Sequence, residues 1–501
     1  MFLDKIISNI ESNPDKKFLT ICNSEKIEYS YKDLKVGILS HMQVLKDYEN
    51  QVVVCIDKHS INLFSFFIAS LLCKVKPCFY SFPSPKQSEQ QFFESFKGSL
   101  TENKISNVFI YENKYINFFN KNNSKINVLK LKKQKNTWNL NTSFTFKKNS
   151  YGKKFLQFSS GTTGHKKIIQ VDNDKLVNHI KTYNNTVNLN ENSVVVSWLP
   201  HYHDMGLVAC MLMPLYLNSK IVMMSPFDWV KQPLMLLKEI QKEKGTHVWL
   251  PNFAFGIISK SLKKDFKNEK FDLSTLQFVT SASEPVIYET MLEFNKVTKK
   301  FNYNSNIFNN LYGMAENIFA ITSTKNNFKY LNINYESLKH GNIRFDNPNF
   351  KIACAGVPIK NVSIRILSNK KKCNDLKVGS IHLKSSHLMD GYVQNNYLQN
   401  KLDWFDTGDL GFTYKGDLYV TGRKKDTIIV GGENINPVDI EKILNENKYL
   451  IKGRNVAFGN LNKKIHTEEI IILAEILEKN IKKININDIK KEIYNKLNVV
   501  V

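Results

Sequence analysis

Arginine is almost missing from this sequence. Of its 70 basic residues only Arg344, Arg365, Arg423 and Arg454 are arginine; the other 66 are lysine. Against 46 acidic residues this leaves a formal net charge of +24. Sites that read nucleic acid group arginine forks with aromatic stacking platforms. Here the lysines are scattered, with small clusters such as LKLKKQKN (129–136) and KNIKKININDIKKEI (479–493). Lysine, asparagine and isoleucine are what an AT-rich coding sequence favours. The charge therefore argues against a specific nucleic-acid site, while an acidic protein or anionic surface fits it as a partner. Paired cysteines are missing too. Cys22, Cys55, Cys73, Cys78, Cys210, Cys354 and Cys373 form no CxxC, which suits small core residues in a reducing compartment. No long apolar run exists: INLFSFFIASLLC (61–73) is too short to cross a bilayer. The N-terminus carries acids and no long apolar core, unlike a secretory signal. These absences give the expectation of a soluble, cytoplasmic protein without a transmembrane segment.

Glycine is also scarce, 21 of 501 residues. Two of them in one four-residue window therefore stand out, in LQFSSGTTGHKK (156–167). A backbone there must bend tightly or approach a ligand closely, although a plain polar turn fits as well. Walker spacing would put four residues between the glycines and a helix after them. Gly161 and Gly164 are three apart and KKIIQVD reads as a strand, which predicts a hairpin loop between KFLQF and IIQV.

What is present reads as α/β. Residues 50–82 give strand, helix, strand (QVVVCI, SINLFSFFIASLLCK, KPCFYSF), the cadence of a βαβ unit. Short strands follow at KISNVFIY and KINVLKL. From 194 to 284 apolar runs alternate with helical ones (VVVSWL, KIVMM, PLMLLKEIQKEK, THVWL, LQFVTSA), as in parallel sheets covered on both faces. No internal repeat is visible. The Asn/Lys-rich stretches near 121–150 and 325–350 read as surface excursions. A chain of 501 residues with 42% hydrophobic content predicts two or three domains. A second unit is expected near 424, where DTIIVGGENINPVDIEKIL reads strand, double-glycine turn, helix, with Asn436 as N-cap and Pro437 at the first helical position.

The loop has companions: SWLPHYHDMGL (197–207), PNFAFG (251–256), SASEPV (281–286), LYGMAEN (311–317), FDTGDLG (405–411) and GRKKDTIIVGGENINP (422–437). In this order the chain resembles the adenylate-forming superfamily, from about residue 10 onward, and within it the fatty acyl-AMP ligases. WLPHYHDMGL and PNFAF carry that closer likeness. So does the 40-residue gap between Glu316 and Gly356, filled by KYLNINYESLKHGNIRFDNPNF, where those ligases carry an insertion that disfavours coenzyme A. The resemblance implies a large adenylation domain of layered mixed sheets and helices over 1–423 and a small α+β lid over 424–501. It implies ATP and Mg2+ as cofactors, a fatty acid as substrate, and the phosphopantetheine arm of an acyl carrier protein as acceptor.

Residue by residue, Ser160, Gly161, Thr162, Thr163, Gly164 and Lys167 match the phosphate loop, Thr162 also standing near the metal. Lys166 and Ile168 replace the usual Pro and Gly around Lys167. Glu316 matches the acid that holds Mg2+; the residues alone also allow a helix-start acid. Tyr312 and Gly313, with Ser283, Glu284 and Pro285, match the adenine pocket, and Asp409 the acceptor of the ribose hydroxyls. Arg423 matches a ribose- and phosphate-contacting arginine; in so lysine-rich a chain it marks a site wanting a planar fork. His203 matches the histidine beside the carboxylate and α-phosphate. Asp204, Trp198, Met205, Gly206, Phe253 and Phe255 are candidates for the acyl pocket, and as readily plain core. In amino-acid adenylation domains an aspartate near the position of Asp204 grips the substrate amine. Lys425 matches the hinge.

The pattern fails at the end. The family's closing lysine loop has no counterpart in the 78 residues after Arg423, so the lid reads as incomplete, and KLNVVV reads as a strand begun and left. The expectation is an acid-activating ligase that binds ATP and acid but adenylates slowly. An acyl-CoA synthetase and a non-catalytic nucleotide- or acyl-binding protein are the alternatives.

Overall fold

The computed structural model describes residues 2–23, 25–83, 88–112, 115–117, 119, 125–131, 151–158, 167–265, 270–393, 404–430, 433–462 and 467–497. Two large sheets and a smaller one carry the body. The first has nine strands, ordered Val357–Pro358, Ala320–Ser323, Phe308–Gly313, Phe278–Ser281, His247–Leu250, Val194–Ser197, Lys220–Met224, Lys17–Cys22 and Lys26–Ser30. Its six central strands are parallel and the edges antiparallel. The expected apolar runs from 194 to 281 supply four of those six.

The second sheet has seven strands, ordered Gly391–Tyr392, Ile168–Asp172, Lys154–Phe158, Lys76–Phe79, Val52–Ile56, Asn107–Ile110 and Asn127–Leu129. The expected βαβ unit lies here: Val52–Ile56 and Lys76–Phe79 pair in parallel across the helix Ile61–Leu72. From Leu63 to Leu72 that helix is buried, polar Ser65 and Ser70 included. An all-round apolar helix is an interior helix, which explains the run read above. Ser60 caps its start, accepting from the Asn62 N–H at 3.2 Å. The expected hairpin is antiparallel, with Phe158 opposite Ile168 and Lys154 opposite Asp172.

A five-stranded antiparallel sheet follows, ordered Lys371–Lys372, Val362–Ser368, Gly379–Ser385, Phe405–Tyr414 and Asp417–Arg423. The chain leaves it at Arg423, and from Ile428 to Leu497 it builds a separate apolar core around Ile428, Ile435, Ile440, Leu444, Ala457 and Ile493. Asn436 caps the helix Pro437–Glu446 through Val438 N–H at 3.3 Å, with Pro437 at its first position. The order differs slightly from expectation: a second strand, Glu433–Ile435, pairs back on Ile428–Val430 before the helix starts. Leu497 closes a helix, Ile486–Leu497, so no strand begins there; 498–501 lie outside the described residues.

The stretch 325–350 is no surface excursion. Tyr330–Ile333 pairs with Phe350–Ala353, and Tyr335–Lys339 forms a short helix started by Asn334, which accepts from Ser337 N–H at 3.0 Å. The asparagines act as caps and turns here, while Ile333, Tyr335, Ile343 and Ile352 face inward. Tyr335, with Leu338 and Phe350, joins the apolar core of 428–497, and Lys442 Nζ stands 4.9 Å over the Phe350 ring. No helix among the described residues is long and apolar enough to cross a membrane.

Candidate functional site

Trp198, His203, Phe253, Ser283 and Tyr312 lie at or just past the carboxyl ends of the central parallel strands, where α/β sheets commonly hold ligands. Tyr312 ends the strand Phe308–Gly313, and its hydroxyl donates to Asp409 Oδ2 at 2.5 Å. Asp409 lies opposite Arg423 in the register of the five-stranded sheet. Its Oδ1 is 3.4 Å from Arg423 Nε, and its N–H donates to Thr407 Oγ1 at 3.1 Å. Thr-Gly-Asp is thus part of a strand rather than a free turn, and Gly408 takes a φ of 75° within it. Burial pushes the Asp409 carboxyl up, while the Tyr312 hydroxyl and Arg423 pull it down. The Tyr312 phenol is raised well above its ordinary value by burial and by Asp409. Gly313 is needed by packing: a Cβ there would stand 2.4 Å from the Phe319 carbonyl oxygen.

Glu316 follows in a single 3-10 turn, Ala315–Asn317. Tyr392 donates its hydroxyl to Glu316 Oε1 at 3.0 Å, and the Lys167 ammonium stands 5.0 Å over the Tyr392 ring. Burial raises the Glu316 carboxyl; the Asp204 charge raises it further and the Arg423 charge lowers it. Glu316, Asp204 and Arg423 therefore share one electrostatic neighbourhood. A carboxylate kept from water beside a second negative charge favours a cation as its partner. Among the described residues no group of three His, Cys, Asp or Glu is arranged to hold a metal alone. One carboxylate plus substrate phosphates is how Mg2+ is commonly bound, so Glu316 fits that ion.

His203 and Asp204 sit on the turn after Val194–Ser197. His203 Nδ1 and Asp204 Oδ1 are 2.6 Å apart, and Asp204 Oδ1 also accepts from Met205 N–H at 2.8 Å. Asp204 thus caps the π-helix Met205–Leu212, a use of the carboxylate oxygen unlike gripping a substrate amine. Gly206 allows that turn: a Cβ would lie 2.0 Å from the Pro200 carbonyl oxygen.

Trp198 stacks on Trp229 with ring centroids 4.0 Å apart and planes 6° apart. Phe253, 46% exposed, lies against both rings, at 6.0 and 6.2 Å. The Phe253 N–H donates to Glu284, which joins the expected acyl side to the expected adenine side. Ser283 takes a φ of 72°, and Pro285 follows in the same turn after strand Phe278–Ser281. Burial raises the Glu284 carboxyl, opposed by the Phe253 N–H.

Two of the acyl-pocket candidates follow the plain-core alternative that the residues left open. Phe255 is fully buried, edge-on to Phe294 at 4.9 Å and Phe308 at 5.6 Å, and is core because it lies on the inner side of helix Asn252–Asp265. Met205, 2% exposed, is core for a similar reason, at the inward-turned start of the π-helix. Ser160, Gly161, Thr162, Thr163 and Gly164 lie outside the described residues. Lys425 follows Lys424, whose N–H is tied to Gly408 O at 3.0 Å. Sequence reasoning missed Tyr392 and Trp229. The Gly-Tyr of MDGYV and the lone Trp of PFDWV were the signals available.

Comparison with known proteins bears on the family and the fold. Residues 126–393 match the family model described as AMP-binding enzyme. A medium-chain-fatty-acid–acyl-carrier-protein ligase of Moorena producens is 28% identical over 357 residues, 67% of this chain and 60% of that one. A second ligase of that description, from Teredinibacter turnerae, is 31% identical over 317 residues, 58% of this chain and 49% of that one. The chain thus spans about half to 60% of the length of these curated relatives. The crystal structure of the fatty acyl-adenylate ligase from L. pneumophila in complex with acyl adenylate and pyrophosphate superposes with a TM-score of 0.77 at 26% identity, covering 100% of this chain and 91% of that one. With the family model matching more than half of the sequence, the chain belongs to the AMP-binding enzyme family.

Proposed function

We propose that this protein activates a fatty acid as acyl-AMP at the expense of ATP and passes the acyl group to the phosphopantetheine thiol of an acyl carrier protein. The observation that carries the reading is a pair of side-chain groups within reach of each other's charge: Tyr312, Asp409 and Arg423, read as the nucleoside side, and Glu316, Tyr392 and Lys167, read as the phosphate side. The superposition on an acyl-adenylate complex supports it.

In the first step a carboxylate oxygen attacks the α-phosphorus, the bond from that phosphorus to the bridging oxygen breaks, and its electron pair leaves with pyrophosphate. Both reactants are anions, and two unit charges 4 Å apart repel by about 4 kcal/mol at an effective dielectric near 20. Tyr312 would stack on the adenine, and Asp409 would accept from the ribose hydroxyls. Arg423 offers its fork to ribose and phosphate oxygens. Lys167, with the hydroxyls and N–H groups of 160–164, holds the outer phosphates. Glu316 would hold Mg2+, which would supply neutralisation of the phosphate charge when bound. His203, kept in orientation by Asp204, donates to the carboxylate or α-phosphate. Holding the pair in line supplies about 7 to 11 kcal/mol of the barrier. Phe253 and the Trp198–Trp229 stack line the acyl end. In the second step the thiol sulfur attacks the acyl carbon, AMP leaves and the thiol proton goes to solvent.

Carrier protein is preferred over coenzyme A because 329–350 is built into the lid: Tyr335 hydrogen-bonds Asp439 and joins the apolar core of 428–497. The fatty acyl-AMP ligases that the chain resembles carry an insertion in this region that disfavours coenzyme A as acceptor. The cytoplasm is the compartment in which ATP and carrier protein meet. The test is to incubate the protein with ATP, Mg2+ and decanoic acid and follow acyl-AMP by mass spectrometry, then add carrier protein or coenzyme A. Acyl-AMP followed by carrier-bound thioester is expected. Absence of acyl-AMP across chain lengths, or thioester only on coenzyme A, overturns the reading.

A further inference from the structure

The site already holds a side chain that touches both halves of its phosphate end. Gly391–Tyr392 is a two-residue strand added to the outer edge of the loop hairpin, with Tyr392 opposite Ile169 and Gly391 opposite Gln170. Asp390 N–H and Val393 N–H donate to Gln170 O and Ile168 O at 2.8 and 2.9 Å. The same segment reaches the Glu316 turn, Met389 N–H donating to Glu316 O at 2.8 Å. Lys175 clamps it from below, its Nζ 2.7 Å from both Leu388 O and Asp390 Oδ1. The Tyr392 side chain repeats the bridge at the level of chemistry: hydroxyl on Glu316 Oε1, ring under the Lys167 ammonium.

We propose that Tyr392 is the positioning residue that locks the phosphate-loop lysine and the metal-holding acid into one geometry. This rests on the adenylation reading. A phenol bound to one carboxylate oxygen fixes the rotation of the carboxyl and leaves the other oxygen for a cation; partners of this kind tune metal affinity strongly. The ring limits the sweep of a long lysine, which otherwise loses much rotamer freedom on ordering. A tyrosine that merely fills space would serve neither end, and phenylalanine would replace it without effect.

Two variants separate the halves of the bridge. Tyr392→Phe keeps the ring and loses the hydroxyl; Tyr392→Leu loses both. Mn2+ binding in the presence of a non-hydrolysable ATP analogue is read by electron paramagnetic resonance on the full chain, alongside the KM values for ATP and decanoic acid. Tyr392→Phe is expected to bind Mn2+ about tenfold more weakly, with nucleotide affinity at saturating metal and the acid KM unchanged. Tyr392→Leu adds about a threefold loss of nucleotide affinity through Lys167. Wild-type metal affinity in Tyr392→Phe overturns the proposal. So do variants that change only the melting temperature, and so does a wild-type chain that takes up no Mn2+ with the analogue. If no acid yields acyl-AMP while Tyr392→Phe still weakens Mn2+ binding, the adenylation reading falls and the positioning role stands.

Discussion

Single residues show where composition carries information and where it does not. The four arginines are each engaged: Arg344 with Asp346, Arg454 with Glu475, Arg365 over Trp404, and Arg423 with Asp409. Arg423 alone among them enters the site. Arg423→Lys keeps the charge and loses the fork, so the KM for ATP is expected to rise about tenfold, a loss of one charge-assisted hydrogen bond, with the acid KM little changed; pyrophosphate exchange measures it. Asp57, at the carboxyl end of Val52–Ile56, carries a different lesson. It is buried, accepts from Ser60 Oγ at 2.6 Å and Lys58 N–H at 2.9 Å, and burial still pushes it up to about 6. A raised carboxyl contributes stability that is full below its ordinary range and lost as the pH rises through about 6. Wild type is therefore expected to lose about 2 kcal/mol from this group between pH 4 and 7. Asp57→Asn lacks that slope, and denaturant titrations of both proteins at the two pH values check it. Neither Asp57 nor Tyr392 could be picked out in the sequence: one needs the depth of a core, the other a strand pairing over more than two hundred residues.

At the scale of elements, the hairpin around 156–172 and the apolar strands from 194 to 281 were legible because period and turn chemistry agree there. The stretch 325–350 was not. Its asparagines suit turns, and the core it joins comes from residues a hundred positions later. The π-helix Met205–Leu212 was equally hidden, since a wide turn leaves no periodic trace in a uniformly apolar run. Its geometry hangs on Gly206, and Gly206→Ala drives a methyl into the Pro200 carbonyl. The expected cost is about 3 kcal/mol, read as a lower denaturation midpoint, with activity falling because His203 and Asp204 sit on the displaced turn.

For the whole molecule, the motifs disclosed the cleft, while the seam between body and lid emerged only with the contacts. Tyr335 is 2% exposed within the lid's core. Tyr335→Ala is expected to loosen that seam, raising tryptic cleavage at Lys424–Lys425 about tenfold before global unfolding and increasing thioester formation on coenzyme A. Quantifying the fragments over time tests the first, and a thiol-capture assay the second. Arg423 ends the last strand of the five-stranded sheet, Lys424 N–H still reaching Gly408 O at 3.0 Å, and Thr427 leans back on Arg423, N–H and hydroxyl both on its O at 3.1 and 2.9 Å. Under the proposed function, any swing of the 428–497 unit would have its fulcrum beside the guanidinium assigned to the nucleotide. Loosening the hold on spent AMP and turning the lid would then be one mechanical event, driven from a single joint.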